Sequence, residues 1–142
     1  MGMRNRFTHN VDTKNRLFIP SKFREELGSE YILTPSLRDP CLTVRSKANW
    51  EAYLEPIKRI ERKDSEVALR RLEGRSAEVS HDSQGRIIIP PSMLEFAHIE
   101  KEAIIIGCGE YVEIWSAEVR REHEEMEAND DSWMQVLESH GL

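Results

Sequence analysis

Apolar and polar residues alternate along short stretches of this chain and then give way to turn residues, the pattern of half-buried β-strands. Phe7-Thr-His-Asn-Val11 alternates in this way, and Ala77-Glu-Val-Ser-His81 does so more weakly. Leu17-Phe-Ile19 and Ile87-Ile-Ile89 are wholly apolar triplets, each stopped by a proline, and predict short buried strands. After each proline, Ser21 or Ser92 is placed to cap a helix of one or two turns, which Gly28 can close in the first case. Tyr31 to Thr34 and Leu42 to Arg45 predict a strand pair around a loop from Pro35 to Pro40. Ala103 to Ile106 and Tyr111 to Trp115 predict another around Gly107-Cys-Gly109, a tight hairpin signal. Ser46 and Ser116 end the last strands and are N-cap candidates for the helices that follow. The first such helix is expected from Lys47 to Glu55, stopping at Pro56. A second is expected from a cap at Asp64 or Ser65 to Leu72, with Gly74 at its end.

These elements come twice. Asp12-Thr-Lys-Asn-Arg16-Leu-Phe-Ile-Pro20 recurs as Asp82-Ser-Gln-Gly-Arg86-Ile-Ile-Ile-Pro90, 70 residues on, and five of the seventeen pairs over 12–28 and 82–98 are identical. The register drifts by two in the next strand, where Thr34 matches Ile106, and returns to 70 at Leu42/Val112, Val44/Ile114 and Ser46/Ser116. A duplicated unit of strand, turn, strand, short helix, hairpin and helix accounts for this. Four short strands per copy bury too little alone and leave open edges. The expected fold is therefore α+β and mainly β. Two interleaved copies form one small closed barrel about a pseudo-twofold axis, with flanking helices and the two Asp-x-x-x-Arg turns at equivalent positions. The expected divisions are repeat 1 over 5–47, a helical linker over 48–75, repeat 2 over 76–119 and an acidic helix and tail over 120–142.

Charge sharpens the picture. The chain of 142 residues has a net charge of −6, yet residues 117–142 hold two arginines against eight carboxylates, which leaves residues 1–116 neutral. Within residues 1–24, Arg4, Arg6, Lys14, Arg16, Lys22 and Arg24 face Asp12 alone. The basic residues between 56 and 75 read as a solvated helix face paired with Glu61, Glu66 and Glu73. The tail reads as a solvated helix fraying after Asn129-Asp-Asp131, with Trp133, Met134, Val136 and Leu137 at roughly helical spacing and able to pack on the body or a neighbouring subunit. Cys41 and Cys108 have no metal-ligand or disulfide-framework spacing and read as half-buried reduced thiols. No run approaches the roughly 18 apolar residues of a membrane helix, and no apolar stretch follows the first arginines. A cytoplasmic protein without cofactor or metal is expected.

In each Asp-x-x-x-Arg turn the aspartate can bind nearby amides, and Asn15 or Gly85 can take a positive φ. The paired turns, each leading into an apolar triplet and proline, resemble the MraZ family. The likeness extends to Ile19-Pro-Ser-Lys-Phe-Arg-Glu-Glu-Leu-Gly28, Cys41-Leu, Trp50 and Glu113-Ile-Trp115-Ser, and covers roughly residues 5–120. The resemblance implies the swapped-hairpin fold of AbrB-like regulators, with both halves in one chain. It also implies a ring-shaped homo-oligomer, an octamer to a dodecamer, that binds double-stranded DNA at direct repeats ahead of the division and cell-wall gene cluster. Its own gene is among those targets, and repression is the usual outcome, on the nucleoid. The DNA contacts of the family map onto Lys14 and Arg16, with Arg4 and Arg6 as nearby further candidates. Asn15 stands where the family pattern has glycine, and its side chain can alter base preference.

Beside this, Asp12 is read as a turn residue that orients Arg16. Arg86, whose turn has Gln84 in place of a second base, is expected mainly to hold its own turn with Asp82 and Gly85. Two other classes compete. A ring-forming adaptor that touches only proteins would leave the basic N-terminal cluster without a polyanion. An aspartate-dyad hydrolase would need Asp-(Thr/Ser)-Gly, whereas the chain reads Asp12-Thr-Lys14 and Asp82-Ser-Gln84, each with an arginine four residues on.

Overall fold

A computed structural model describes residues 2–142. The chain order is β1 (Arg6–Asn10), β2 (Arg16–Phe18), α1 (Ser21–Leu27), β3 (Glu30–Pro35), β4 (Leu42–Ser46), α2 (Lys47–Lys58) and α3 (Arg62–Gly74), followed by β5 (Ala77–Ser80), β6 (Arg86–Ile88), α4 (Pro91–Phe96), β7 (Glu102–Gly107), β8 (Val112–Ser116), α5 (Ala117–Glu127) and α6 (Ser132–Ser139). Each half repeats the other, element for element. A six-stranded antiparallel sheet runs β1-β7-β8-β4-β3-β5, and β2 pairs with β6 in a separate two-stranded ribbon.

Strand register reveals the symmetry. In the ribbon, Leu17 lies opposite Ile87, and across β4–β8 Thr43 lies opposite Glu113. Each of these residues faces its own counterpart 70 positions away, so the pseudo-twofold axis passes through both pairs. The two-residue drift appears where the sequence placed it: Phe7 pairs with Ile105 in β1–β7, and Ala77 pairs with Leu33 in β5–β3. The hairpins are interleaved, since Ile89 N–H donates to the Asn15 carbonyl and Ile19 N–H donates to that of Gly85. The hydrogen-bonded sheet ends on β1 and β5, and the ribbon packs beside both, β2 against β1 and β6 against β5.

Apolar residues from both copies fill one core, including Leu17, Ile19, Phe23, Tyr31, Leu33, Ile87, Ile89, Ile105 and Ile114, all essentially inaccessible to solvent. Each such side chain contributes roughly 1.5–3 kcal/mol by leaving water. Phe23 of α1 meets Phe7 edge-on at 5.5 Å, which seats the helix over β1. A smaller core of Trp50, Leu54 and Leu72 binds α3 to α2, and Trp50 Nε1 donates to Glu73 Oε1 at 2.6 Å.

Several local expectations change. Pro20 and Pro90, not Ser21 and Ser92, occupy the N-cap positions of α1 and α4, because their extended backbone turns the carbonyl toward the first helical amides. Helix α2 continues through Pro56 to Lys58, forgoing the one backbone hydrogen bond that proline cannot donate, and Arg59 N–H donates to the Pro56 carbonyl at its end. Helix α3 begins at Arg62, with the Glu61 side chain accepting from Lys63 N–H. Ser46 and Ser116 do cap α2 and α5, accepting from Asn49 and Val119 N–H at 3.0 and 3.3 Å. Cys41 is fully buried, Cys108 is partly exposed, and both are free thiols. The tail re-forms a helix after Asp131, with no buried residue in it. Among the described residues, no helix is long and apolar enough to cross a membrane.

Candidate nucleic-acid interface

The Asp-x-x-x-Arg turns have one construction. Asp12 Oδ1 accepts from the backbone N–H groups of Lys14 and Arg16 at 2.9 Å each, and Asp82 Oδ1 accepts from Gln84 and Arg86 at the same distances. The Asn15 and Gly85 N–H groups each donate to the aspartate carbonyl at 3.0 Å. The third link of each turn takes a positive φ, 61° at Asn15 and 80° at Gly85. Asparagine tolerates this region, so the turn survives the departure from glycine. At Gly85 the requirement is stricter, because a Cβ there would lie 2.7 Å from Arg24 Cζ.

Hydrogen bonds hold both carboxylates ionised. The backbone N–H of Arg86 and then its side chain lower the pKa of Asp82 to about 2, and the equivalent groups of Arg16 lower that of Asp12. Two firmly ionised carboxylates, each bound to its own arginine, do not share a proton, which removes the hydrolase reading.

The arginines are held differently. Arg16 donates from Nε to Asp12 Oδ2 at 2.7 Å, and among the described residues its two terminal nitrogens make no hydrogen bond. Arg86 grips Asp82 Oδ2 with both Nε and Nη2 at 3.0 Å, and its Nη1 lies 3.9 Å from Asp12. Both arginines are thus braced by their own aspartates and equally exposed, at 27% of the side chain, and the difference is that Arg86 lies near both carboxylates whereas Arg16 binds Asp12 alone. Lys14, at the exposed crest of the first turn, has no carboxylate within 4 Å among the described residues.

Strand alternation lays these groups on one face. Leu17 and Ile87 point into the core, so Arg16, Phe18, Arg86 and Ile88 point outward. Ile88 is 62% exposed, which corrects the reading of both triplets as wholly buried. Arg24 caps the face, donating to the Ile19 carbonyl at 2.8 Å and lying 5.4 Å from the Phe18 ring, with His9 edge-on to that ring at 5.0 Å. Sequence reading missed Phe18, Arg24 and Ile88. The period-2 alternation through Arg16-Leu-Phe-Ile19 carries the signal for Phe18, whereas the uniform triplet Ile87-Ile-Ile89 does not mark Ile88 and Arg24 is placed only by the tertiary fold.

Arg4 and Arg6 are not in this neighbourhood. β1 is extended, so Arg6 lies roughly 14 Å from Asn10 by strand rise alone, with the turn further on. Arg6 Nη1 instead binds Glu124 Oε1 of α5 at 2.6 Å. Arg4 sits where the chain crosses Gly107, in a shallow depression that also holds Lys22.

The fold and this face define a class: a duplicated swapped-hairpin protein that carries two braced Asp–Arg turns on a two-stranded ribbon. The family described as "MraZ protein, putative antitoxin-like" matches residues 3–71 and 74–136, one match per copy. The chain belongs to the MraZ family. It is similar to proteins named transcriptional regulator MraZ from Caldanaerobacter subterraneus subsp. tengcongensis (40% identical over 93% of this chain and 92% of that protein) and Clostridium acetobutylicum (42%, over 84% of each). A third relative of that name, from Alkaliphilus oremlandii, is 47% identical over 78% of each chain.

Proposed function

We propose that this chain is a sequence-specific DNA-binding transcriptional regulator that reads duplex DNA with the outer face of the β2–β6 ribbon. The observation that carries this reading is the state of Arg16: stem fixed by Asp12, both terminal nitrogens free. That geometry suits bidentate recognition of a guanine edge, and a two-stranded ribbon has the width that the major groove admits. Lys14 beside it suits a phosphate, which positions without reading sequence. The names of the relatives support a role in transcription.

The working face holds few cations, and Asp12 and Asp82 offset part of their charge, so one chain binds weakly at cellular salt. Several faces on a ring, set against direct repeats, raise affinity through effective concentration. In this reading the sites are the repeats ahead of the division and cell-wall gene cluster, including the protein's own gene, and occupancy represses it. An electrophoretic mobility shift on that upstream DNA, over a salt series, tests the proposal. Binding that is lost in Arg16→Ala and weakened in Lys14→Ala, with assembly size unchanged, is the expected result. Unchanged binding in both variants overturns the assignment of this face.

A further inference from the structure

The internal symmetry exposes an arginine that lacks a counter-ion. In the second copy, Arg120 lies 4.6 Å from the Trp115 ring and is held by Glu124 and Glu127 at 3.2 and 2.9 Å. Seventy residues earlier the two residue types are exchanged: Trp50 stands at the place of Arg120, and Arg45 at that of Trp115. Trp115 is buried, with His123 edge-on to its ring at 5.2 Å, so its place in the second copy is filled. Arg45 is half-buried, and a cavity of about 230 Å³ opens beside it. Its guanidinium carbon lies 4.0 Å from the Tyr53 ring and 4.7 Å from the Tyr111 ring, and Nη1 donates to Thr43 Oγ1 at 3.2 Å. These contacts attract the cation without neutralising it. Among the described residues no carboxylate comes within 4 Å of Arg45.

Glu113 lines the same cavity and is half-buried too. Its Oε1 accepts from Trp115 Nε1 at 3.0 Å, and among the described residues no cation comes within 4 Å of it. Two opposite charges thus share one cavity, each partly desolvated and each without an ionic partner, whereas buried charges are ordinarily paired. The rim adds Arg38 and Asp39, exposed and again one of each sign. A simple anion drawn to Arg45 would meet Glu113, and a simple cation drawn to Glu113 would meet Arg45. A molecule that carries both charges satisfies both groups.

We propose that this cavity binds a small zwitterion of the α-amino-acid class, with its carboxylate on Arg45 and its ammonium on Glu113. The planar fork of a guanidinium matches a carboxylate, and Arg45 has donors left over after Thr43. Pro35 and Leu72 give the ligand's side chain an apolar wall. The volume is below the roughly 300 Å³ at which pockets for drug-sized molecules begin, which suits a ligand of this size. Leu42, Val44, Val112 and Ile114 point into the core, so Thr43, Arg45 and Glu113 occupy the opposite face of β4–β8. The cavity is therefore across the core from the β2–β6 ribbon, and the proposal does not rest on which residues meet DNA.

Isothermal titration calorimetry of the full chain with each of the common amino acids, in L and D forms, tests the site. Saturable binding is expected, weakened roughly tenfold or more when the same compound is acetylated at its amine or amidated at its carboxylate. Glu113→Gln, which keeps the acceptor for Trp115, and Arg45→Met are each expected to give a loss of that size. Circular-dichroism melts report whether each variant is folded; if Arg45→Met is not, Glu113→Gln decides. Three results overturn the proposal: no saturable binding of any amino acid, binding that survives acetylation or amidation, or binding undiminished in Glu113→Gln. Arg16→Ala is expected to bind the amino acid as the wild type does, so this proposal and the DNA-binding reading fail separately.

Discussion

The two Asp–Arg turns share a backbone and differ at their tips, and the difference separates what the fold requires from what the surface is free to do. Both aspartates accept the same pair of amides, and both third links adopt a positive φ. These features hold the interleaved hairpins together, because the third link of each turn also accepts a hydrogen bond from the other copy. At the crest, Lys14 stands opposite Gln84 in the pseudo-symmetry, and Arg86 lies near both aspartates where Arg16 binds Asp12 alone. The symmetric part is structural. The proposed function assigns recognition to the asymmetric part.

The strongest challenge to that division is at the axis itself. Leu17 and Ile87 face each other with no exposure to solvent, so Leu17→Ala and Ile87→Ala should each cost about 2–5 kcal/mol of folding stability. Their effects should agree to within a factor of two in denaturant titrations, because each removes half of one contact. A large inequality would show that the copies do not share the axis equally.

Next in size is the contrast between the arginines. Arg16→Ala should weaken binding to a specific site by about 1–3 kcal/mol, the worth of one bidentate base contact. Arg86→Ala should cost mainly stability, read in a thermal melt, with a smaller effect on binding. Lys14→Ala should lower affinity similarly for all sequences and reduce the slope of log affinity against log salt by about one. Equal losses of sequence discrimination at Arg16 and Arg86 would break the asymmetry.

A smaller effect separates the third links. Gly85→Ala combines a positive φ with a close approach to Arg24, and should destabilise by about 1 kcal/mol or more. Asn15→Gly should change stability by a few tenths of a kcal/mol, since asparagine already tolerates the conformation. Chemical denaturation of the two variants checks both values.

Much of this was legible before any coordinates. The 70-residue repeat, its two-residue drift, the hairpins and the caps at Ser46 and Ser116 were visible because turn chemistry and apolar alternation are local properties. So were Asp12, Asn15, Asp82 and Gly85 as turn residues. The placement of Arg4 and Arg6 was not, because closeness in sequence becomes distance along an extended strand, and the ion pair of Arg6 lies with a residue 118 positions away. Arg24 was hidden for the same reason, and Ile88 because an apolar triplet does not announce which of its members faces out.

The least effect, and the most specific to the turns, is their response to acid. Asp82 titrates near 2 in the folded chain, against an ordinary value of 3.8, so the folded state binds its proton less readily than the unfolded state. The resulting stabilisation is fully present above about pH 4 and is lost as pH falls toward about 2. In Asp82→Asn the site no longer titrates. The stability difference between wild type and this variant, measured by urea titration, should therefore be constant from pH 7 to about pH 4.5 and shrink between pH 4 and 2. Asp12, lowered by the same kind of bonds from Arg16, should give a difference of the same sign with Asp12→Asn. A difference that grows on acidification would mean that the carboxylates are held protonated, and the braced Asp–Arg geometry on which the reading of Arg16 depends would be wrong.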